Sequence, residues 1–115
     1  MIRVNIYRST GDNTIRSFSV EGHADFDEHG KDIVCAGVSA VTIGTMNAIE
    51  KLIGIIPQAE VKNGLLRARF TDRLPAETEE KIQLLLEAMV VTLQSIEQSY
   101  STYIQIHFHK QRREN

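Results

Sequence analysis

The chain has 115 residues, of which 42% are hydrophobic and 24% charged, and its formal net charge is -2. This length and balance predict one soluble globular domain spanning residues 1–115. The charge lacks the basic excess of a general nucleic-acid binder, so no direct nucleic-acid partner is expected. The N-terminus does not resemble a signal or transit peptide. No apolar run is expected to reach the roughly 18 residues of a spanning helix, which predicts a cytoplasmic protein without membrane association.

The first half of the chain predicts two strands, a loop and a helix. Residues 2–20 alternate apolar and polar side chains around a polar turn, as in a β-hairpin. Residues 21–31 are polar, include two glycines and four acids, and predict a loop long enough to carry a function. From Ile33 to Ile53 the apolar residues recur at helical spacing, and Gly54 follows as a stop signal.

The second half repeats this order and ends in a strand. Asn63-Gly64 predicts a type I′ hairpin turn, which needs positive φ at both residues. Pro75 suits the first turn of a second helix. Residues 103–108 predict the last strand. The order ββαββαβ indicates an α+β domain with a mixed or antiparallel sheet of about five strands and two helices on one face.

Cys35 is the single cysteine, so an internal disulfide is excluded. A lone cysteine is either an inert core residue or a reactive thiol. Asp32 stands where a helix N-cap is expected, which places Cys35 in the first helical turn. The unpaired N–H groups and positive dipole end of a helix favour an anion there, and a thiolate is such an anion. The position therefore predicts a nucleophile.

His23 is the predicted general base because it follows the second strand, which can hold it in place. His29 competes for this role but lies within the loop. The remaining histidines, His107 and His109, are interpreted as exposed residues of the last strand. A metal site using His23, His29 and Cys35 matches no compact zinc spacing, so no metal and no other cofactor is predicted.

Asp32 and Ser39 are possible supporting residues. Asp32 either caps the helix, facing away from the sulfur, or serves as a third catalytic member. Ser39 lies one turn after Cys35 and either donates a hydrogen bond to the sulfur or to the carbonyl of Cys35. Backbone N–H groups near Cys35 are the expected oxyanion donors.

Two segments and their spacing resemble the ribosomal-processing cysteine proteases, small bacterial proteins called Prp. They are Gly-His-Ala at residues 22–24 and Gly-Lys-Asp-Ile-Val-Cys-Ala-Gly-Val-Ser-Ala at residues 30–40. The resemblance implies a Cys–His peptidase, with Cys35 as nucleophile and His23 as base, that forms a thioester. The implied substrate is a large-subunit ribosomal protein precursor with a short N-terminal extension.

The resemblance also implies a homodimer and a mobile loop over the site. We call this segment, residues 24–31, the acidic loop; its residues are Ala24, Asp25, Phe26, Asp27, Glu28, His29, Gly30 and Lys31. Asp25 departs from the family, in which many relatives carry a small residue such as glycine. The alternative from another class is a non-catalytic dimeric module that binds ribosomal protein or the assembling ribosome.

Overall fold

The structure of the protein, a computed structural model, describes residues 1–28 and 30–112. Its elements follow the predicted ββαββαβ order. Their bounds are β1 Ile2–Ser9, β2 Ile15–Glu21, α1 Ile33–Ile53, β3 Gln58–Lys62, β4 Leu65–Arg69, α2 Ala76–Ser99 and β5 Ile104–Gln111.

The five strands form one mixed sheet in the order β3-β4-β2-β1-β5. Both hairpins and the β2–β4 pair are antiparallel, whereas β1 and β5 run parallel. The parallel pair arises because the chain crosses over the sheet through α2 before it enters β5. The α+β fold class with a five-stranded sheet and two helices is therefore confirmed.

The core lies between the sheet and its two helices. Alternate residues of the central strands, including Val4, Ile6 and Phe18, are fully buried. Helix α2 packs against them through its buried residues Ile82 and Leu86. Fully burying an aliphatic or aromatic side chain contributes about 1.5–3 kcal/mol, so this layer holds both helices on the sheet.

Helix α1 overturns the prediction that no segment is long and apolar enough to span a membrane. It has 21 residues, and its most apolar 18-residue stretch has a mean hydropathy of 1.4. Five of its residues are buried: Val34, Val38, Thr42, Met46 and Ile49. A core helix meets the same length and hydropathy criterion, so the criterion alone is weak evidence for a membrane segment.

Two local predictions were also wrong in detail. The Asn63-Gly64 turn is not of type I′, because Gly64 has φ +75° while Asn63 has no positive φ. Pro75 is the residue before α2 and not its first helical residue, with an extended ψ of 146°. Asn63-Gly64 still closes a hairpin, and Pro75 still directly precedes a helix, as the sequence indicates.

Candidate active site

Helix α1 presents Cys35 in its first turn, as the sequence predicts. Asp32 is the N-cap, with extended backbone angles, and its Oδ1 accepts the N–H groups of Val34 at 2.9 Å and Cys35 at 3.0 Å. The carboxylate satisfies two of the unpaired donors at the helix end. Cys35 is partly exposed, so its sulfur is accessible from solvent while its helix remains packed in the core.

The second carboxylate oxygen of Asp32 binds the acidic loop. Its Oδ2 accepts N–H groups from Phe26 at 2.9 Å and from Asp27 at 3.3 Å. Burial by itself would raise the pKa of Asp32, but the four backbone donors outweigh it and lower this pKa below its ordinary value. Asp32 therefore remains ionised at neutral pH and joins the loop to the start of the helix.

Ser39 lies one turn after Cys35 and is exposed. Across residues 1–28 and 30–112, its hydroxyl donates neither to the Cys35 sulfur nor to the Cys35 carbonyl, the two alternatives drawn from the sequence. Ser39 lines two cavities that lie beside the Cys35 sulfur and are described below. Its catalytic role stays a prediction.

The end of β2 brings His23 to Cys35. The backbone N–H of Ala24, the residue directly after His23, donates to Sγ of Cys35 at 3.3 Å. His23 and Cys35, 12 positions apart in sequence, therefore border the same two cavities.

The β3–β4 turn supports the His23 ring, which the sequence did not reveal. The Gly64 carbonyl accepts the Gly22 N–H at 2.8 Å, which ties the turn to the end of β2. A β-carbon built on Gly64 would lie 3.1 Å from Nε2 of His23. Asn-Gly signalled a turn, but nothing in the motif shows which side chain that turn contacts.

Replacing Gly64 by alanine is expected to displace the His23 ring and lower kcat about 10- to 100-fold, because small misplacements of a catalytic group are costly. The left-handed φ also costs alanine about 1–2 kcal/mol. Gly54→Ala is the matched control, since Gly54 has φ +82° and nothing lies within 4 Å of its built β-carbon. Urea unfolding and peptide-cleavage kinetics of both variants check this. Equal kcat losses in the two variants would contradict a role for Gly64 in holding the ring.

Aromatic contacts hold the middle of the acidic loop. The Phe26 ring packs edge-on against Tyr100, with centroids 5.6 Å apart, and against Tyr103, with centroids 5.0 Å apart. The two tyrosines lie at the end of α2 and before β5, so the loop packs against the α2–β5 connection. Sequence reasoning missed both tyrosines because no local pattern links them to residue 26.

Asp25 has a left-handed φ of +57°. Glycine adopts this region without strain, and aspartate tolerates it better than most residues. Glycine would therefore fit the backbone at this position without strain. Asp25 also lies 3.9 Å from the N-terminal amine, and the carboxylate is highly exposed.

Two cavities flank the sulfur. The loop-side cavity, about 320 Å³, is lined by His23, Asp25, Asp27, Gly30, Asp32, Cys35, Ala36 and Ser39. The hairpin-side cavity, about 290 Å³, lies between α1 and the β3–β4 hairpin and includes Val38, Ile43, Val61 and Leu66. Three aspartates line the loop-side cavity, whereas the hairpin-side cavity combines these apolar residues with polar ones such as Lys62 and Asn63. A larger depression of about 510 Å³ lies on the helix-free face of the sheet and contains neither Cys35 nor His23.

The remaining residues of the acidic loop and the remaining histidines lie at the surface where the structure describes them. Glu28 and Lys31 form an exposed ion pair at 3.6 Å within the acidic loop, and Gly30 has φ +90°. His107 and His109 are exposed on β5, as predicted. His29, the competing base and a member of the metal site that the sequence spacing did not support, lies outside the described residues.

Cys35 is a partly exposed thiol at a helix start, and His23 lines the same two cavities. On an α+β scaffold, this arrangement is typical of a small thiol-dependent enzyme. Comparison with known proteins agrees with this class. The family model described as cysteine protease Prp matches residues 1–105. The chain belongs to this family and is a cysteine-type peptidase.

Individual relatives match between 77% and 94% of the chain. The ribosomal processing cysteine protease Prp of Bacillus subtilis is 42% identical over 108 residues, which are 92% of this chain and 96% of that protein. The Staphylococcus aureus protein of the same name is 40% identical over 90 residues, covering 77% and 82%. A crystal structure of the S. aureus protease with a substrate peptide superposes with a TM-score of 0.79 at 34% identity, covering 94% of this chain and 99% of that one.

Proposed function

We propose that this peptidase removes a short N-terminal extension from a large-subunit ribosomal protein precursor through a Cys35–His23 dyad. The observation that carries the proposal is the meeting of the Cys35 sulfur with the His23 strand end, marked by the 3.3 Å contact from the Ala24 N–H. A thiolate nucleophile and an imidazole are the groups that peptide-bond cleavage through a thioester requires.

Relatives support the substrate class. The S. aureus relative is described as a ribosomal processing protease and has been crystallised with a substrate peptide and with a covalently linked product peptide. The second complex is consistent with an acyl-enzyme route. The two cavities beside Cys35 offer space for peptide on either side of the sulfur.

The proposed reaction proceeds in two stages. The thiolate of Cys35 attacks the scissile carbonyl carbon, and the imidazolium of His23 protonates the leaving amine as the C–N bond breaks. The resulting thioester is hydrolysed by a water molecule whose proton passes to His23. The acidic loop, fixed by Asp32 and Phe26, forms one wall over this chemistry.

The test is cleavage of the extended precursor by the purified protein. We expect mass spectrometry to find one shortened product with a new N-terminus, and no cleavage of the already mature ribosomal protein. Alkylating Cys35 with iodoacetamide before adding substrate is expected to abolish the product. Persistent cleavage after complete alkylation would contradict the proposed nucleophile.

We further propose that the protein is cytoplasmic, because ribosome assembly takes place in the cytoplasm. We also propose that it forms a homodimer. The exposed apolar side chains of the helices support self-association, among them Leu84, 70% exposed, and Val91, 62% exposed. Exposed apolar patches on a small domain often mark interfaces. Sedimentation at micromolar concentration is expected to give twice the mass of the chain, whereas a monomer mass would contradict the proposal.

A further inference from the structure

The backbone N–H of Ala24 is directed at the reacting sulfur. It donates to Sγ of Cys35 at 3.3 Å, and Ala24 as a whole is only 3% exposed. A buried methyl group anchors the residue from one side while the amide faces the site. Neither the sequence nor the family comparison assigns a role to this amide.

Three amides in the first turn of α1 already have acceptors. The N–H groups of Val34 and Cys35 donate to Oδ1 of Asp32, and the N–H of Ala36 donates to the Asp32 carbonyl. The first turn of α1 therefore has these three donors engaged within the protein. The Ala24 N–H differs because its acceptor is the nucleophile itself.

We propose that the Ala24 backbone N–H is an oxyanion donor of the peptidase, an inference that rests on the proposed Cys35–His23 mechanism. When Sγ attacks, the S–C bond forms and the carbonyl π electrons move onto the oxygen. That oxygen is two bonds from Sγ, so a donor in contact with the sulfur lies within reach of it. On collapse the C=O bond re-forms, the C–N bond breaks, and the amine leaves with the proton from His23.

The Ala24 amide is held in place before substrate arrives. Two residues later, the Phe26 N–H is bound by the ionised Asp32 carboxylate, and the Phe26 ring packs against Tyr103. His23 directly precedes Ala24, so the proton carrier and the oxyanion donor sit on one fixed backbone segment. Preorganised donors stabilise developing charge without reorganisation during the reaction.

Replacing only the Ala24 amide by an ester tests this inference. The native Cys35 allows the full chain to be assembled by ligating a synthetic thioester of residues 1–34 to an expressed fragment of residues 35–115. Lactic acid at position 24 removes the N–H and leaves the side chain unchanged. We expect kcat for precursor cleavage to fall about 100- to 1,000-fold, with little change in KM.

Two further esters separate this effect from damage to the loop or the synthesis. An ester at Phe26 removes a hydrogen bond to Asp32 and keeps the Ala24 N–H, so its kcat loss is expected to be at least tenfold smaller. An ester at Gly11, in the exposed β1–β2 turn, is expected to match the ligated wild type. Equal losses at positions 24 and 26 would overturn the proposal.

Alkylation separates an oxyanion donor from a group that only stabilises the thiolate. Iodoacetamide reacts with the Cys35 thiolate by displacement and forms no oxyanion. The Ala24 ester is therefore expected to slow alkylation far less than it slows cleavage. If both rates fall by the same factor, the amide acts on the sulfur alone and the oxyanion role is wrong.

A measurement on the unaltered chain does not depend on folding of the ester. His-Ala occurs once in the sequence, so carbonyl-labelled histidine with ¹⁵N-alanine isolates the Ala24 amide in an NMR spectrum. A peptide aldehyde ending at the cleaved residue of the extension forms a hemithioacetal whose oxygen occupies the oxyanion position. We expect a downfield shift of the Ala24 amide proton. If this proton does not shift when all of the protein has formed the hemithioacetal, the proposal is overturned.

Cleavage by the ligated wild type and cleavage by the Ala24 ester test the proposed substrate and the Ala24 oxyanion donor separately. If the ligated wild type does not cleave the precursor, the proposed substrate is wrong. If it cleaves and the Ala24 ester retains full kcat, the Ala24 assignment alone is wrong.

Discussion

Replacing Cys35 with alanine is expected to abolish cleavage of the extended precursor, because the chain contains no second cysteine. Replacing His23 with alanine is expected to lower kcat by about 100- to 10,000-fold, the usual contribution of a positioned acid–base group. The thiol of the His23 variant remains and can still form the acyl-enzyme slowly. Quantitative mass spectrometry of the released extension measures both losses.

A matched histidine variant controls for general effects of the substitution. His107 is exposed on β5, on the far side of the fold from Cys35, and His107→Ala is expected to cleave at the wild-type rate. The folded state of each variant is checked by its urea midpoint. Wild-type cleavage by a folded Cys35→Ala or His23→Ala protein would exclude the dyad.

Replacing Asp32 with alanine is expected to reduce both stability and activity. The carboxylate caps α1 and also binds the Phe26 and Asp27 N–H groups, so alanine leaves donors at two sites without their acceptor. Loss of an N-cap costs about 1 kcal/mol, and the bonds to the charged group add to it, giving about 2–3 kcal/mol in all. We expect kcat to fall at least tenfold, since the loop that carries Ala24 loses an anchor.

Asp32→Asn separates the two roles of the carboxylate. Asparagine caps helices about as well as aspartate, so α1 is expected to lose little stability. Its amide NH₂ group would replace one oxygen and face N–H donors, which weakens either the cap or the loop contact. We therefore expect a smaller stability loss than in Asp32→Ala but a comparable loss of kcat. A full wild-type kcat in Asp32→Asn would show that the loop contact does not serve catalysis.

Acid is expected to weaken the hydrogen bonds from backbone N–H groups to the Asp32 carboxylate in the wild type. Because the pKa of Asp32 is lower in the folded protein than its ordinary value of 3.8, the stabilisation is fully present above that value. It is lost as the pH falls from 3.8 through the folded pKa. The stability difference between wild type and Asp32→Asn, measured by urea unfolding, is expected to shrink across this window. A difference independent of pH there would contradict the ionised contact.

Local chemistry accounts for what could be predicted around Cys35. Helix α1 begins at Ile33 and ends at Ile53, as its apolar spacing indicates, and Asp32 caps it. Capping and periodicity depend on residues within a few positions of one another, so they can be read from the chain itself. The placement of the thiol at the helix start followed directly from these two signals.

Contacts between distant segments could not be predicted in this way. The sequence indicated a cap at Asp32 but not that its second oxygen binds the acidic loop, because that bond requires the loop to fold back over the helix. It likewise marked Asn63-Gly64 as a turn without showing that Gly64 lies beneath the His23 ring. These contacts depend on the strand order β3-β4-β2-β1-β5, which places β4 beside β2.

The sequence by itself thus determined the order of elements, the helix that carries Cys35 and the candidate partner His23. Only the tertiary structure decided which backbone groups surround the sulfur. Side-chain identity is written in the sequence, whereas the direction of an N–H group such as that of Ala24 follows from backbone angles set by long-range packing. The sequence indicated only that backbone N–H groups near Cys35 would donate to an oxyanion, and the donor we propose, the Ala24 N–H, lies after the strand end beside His23.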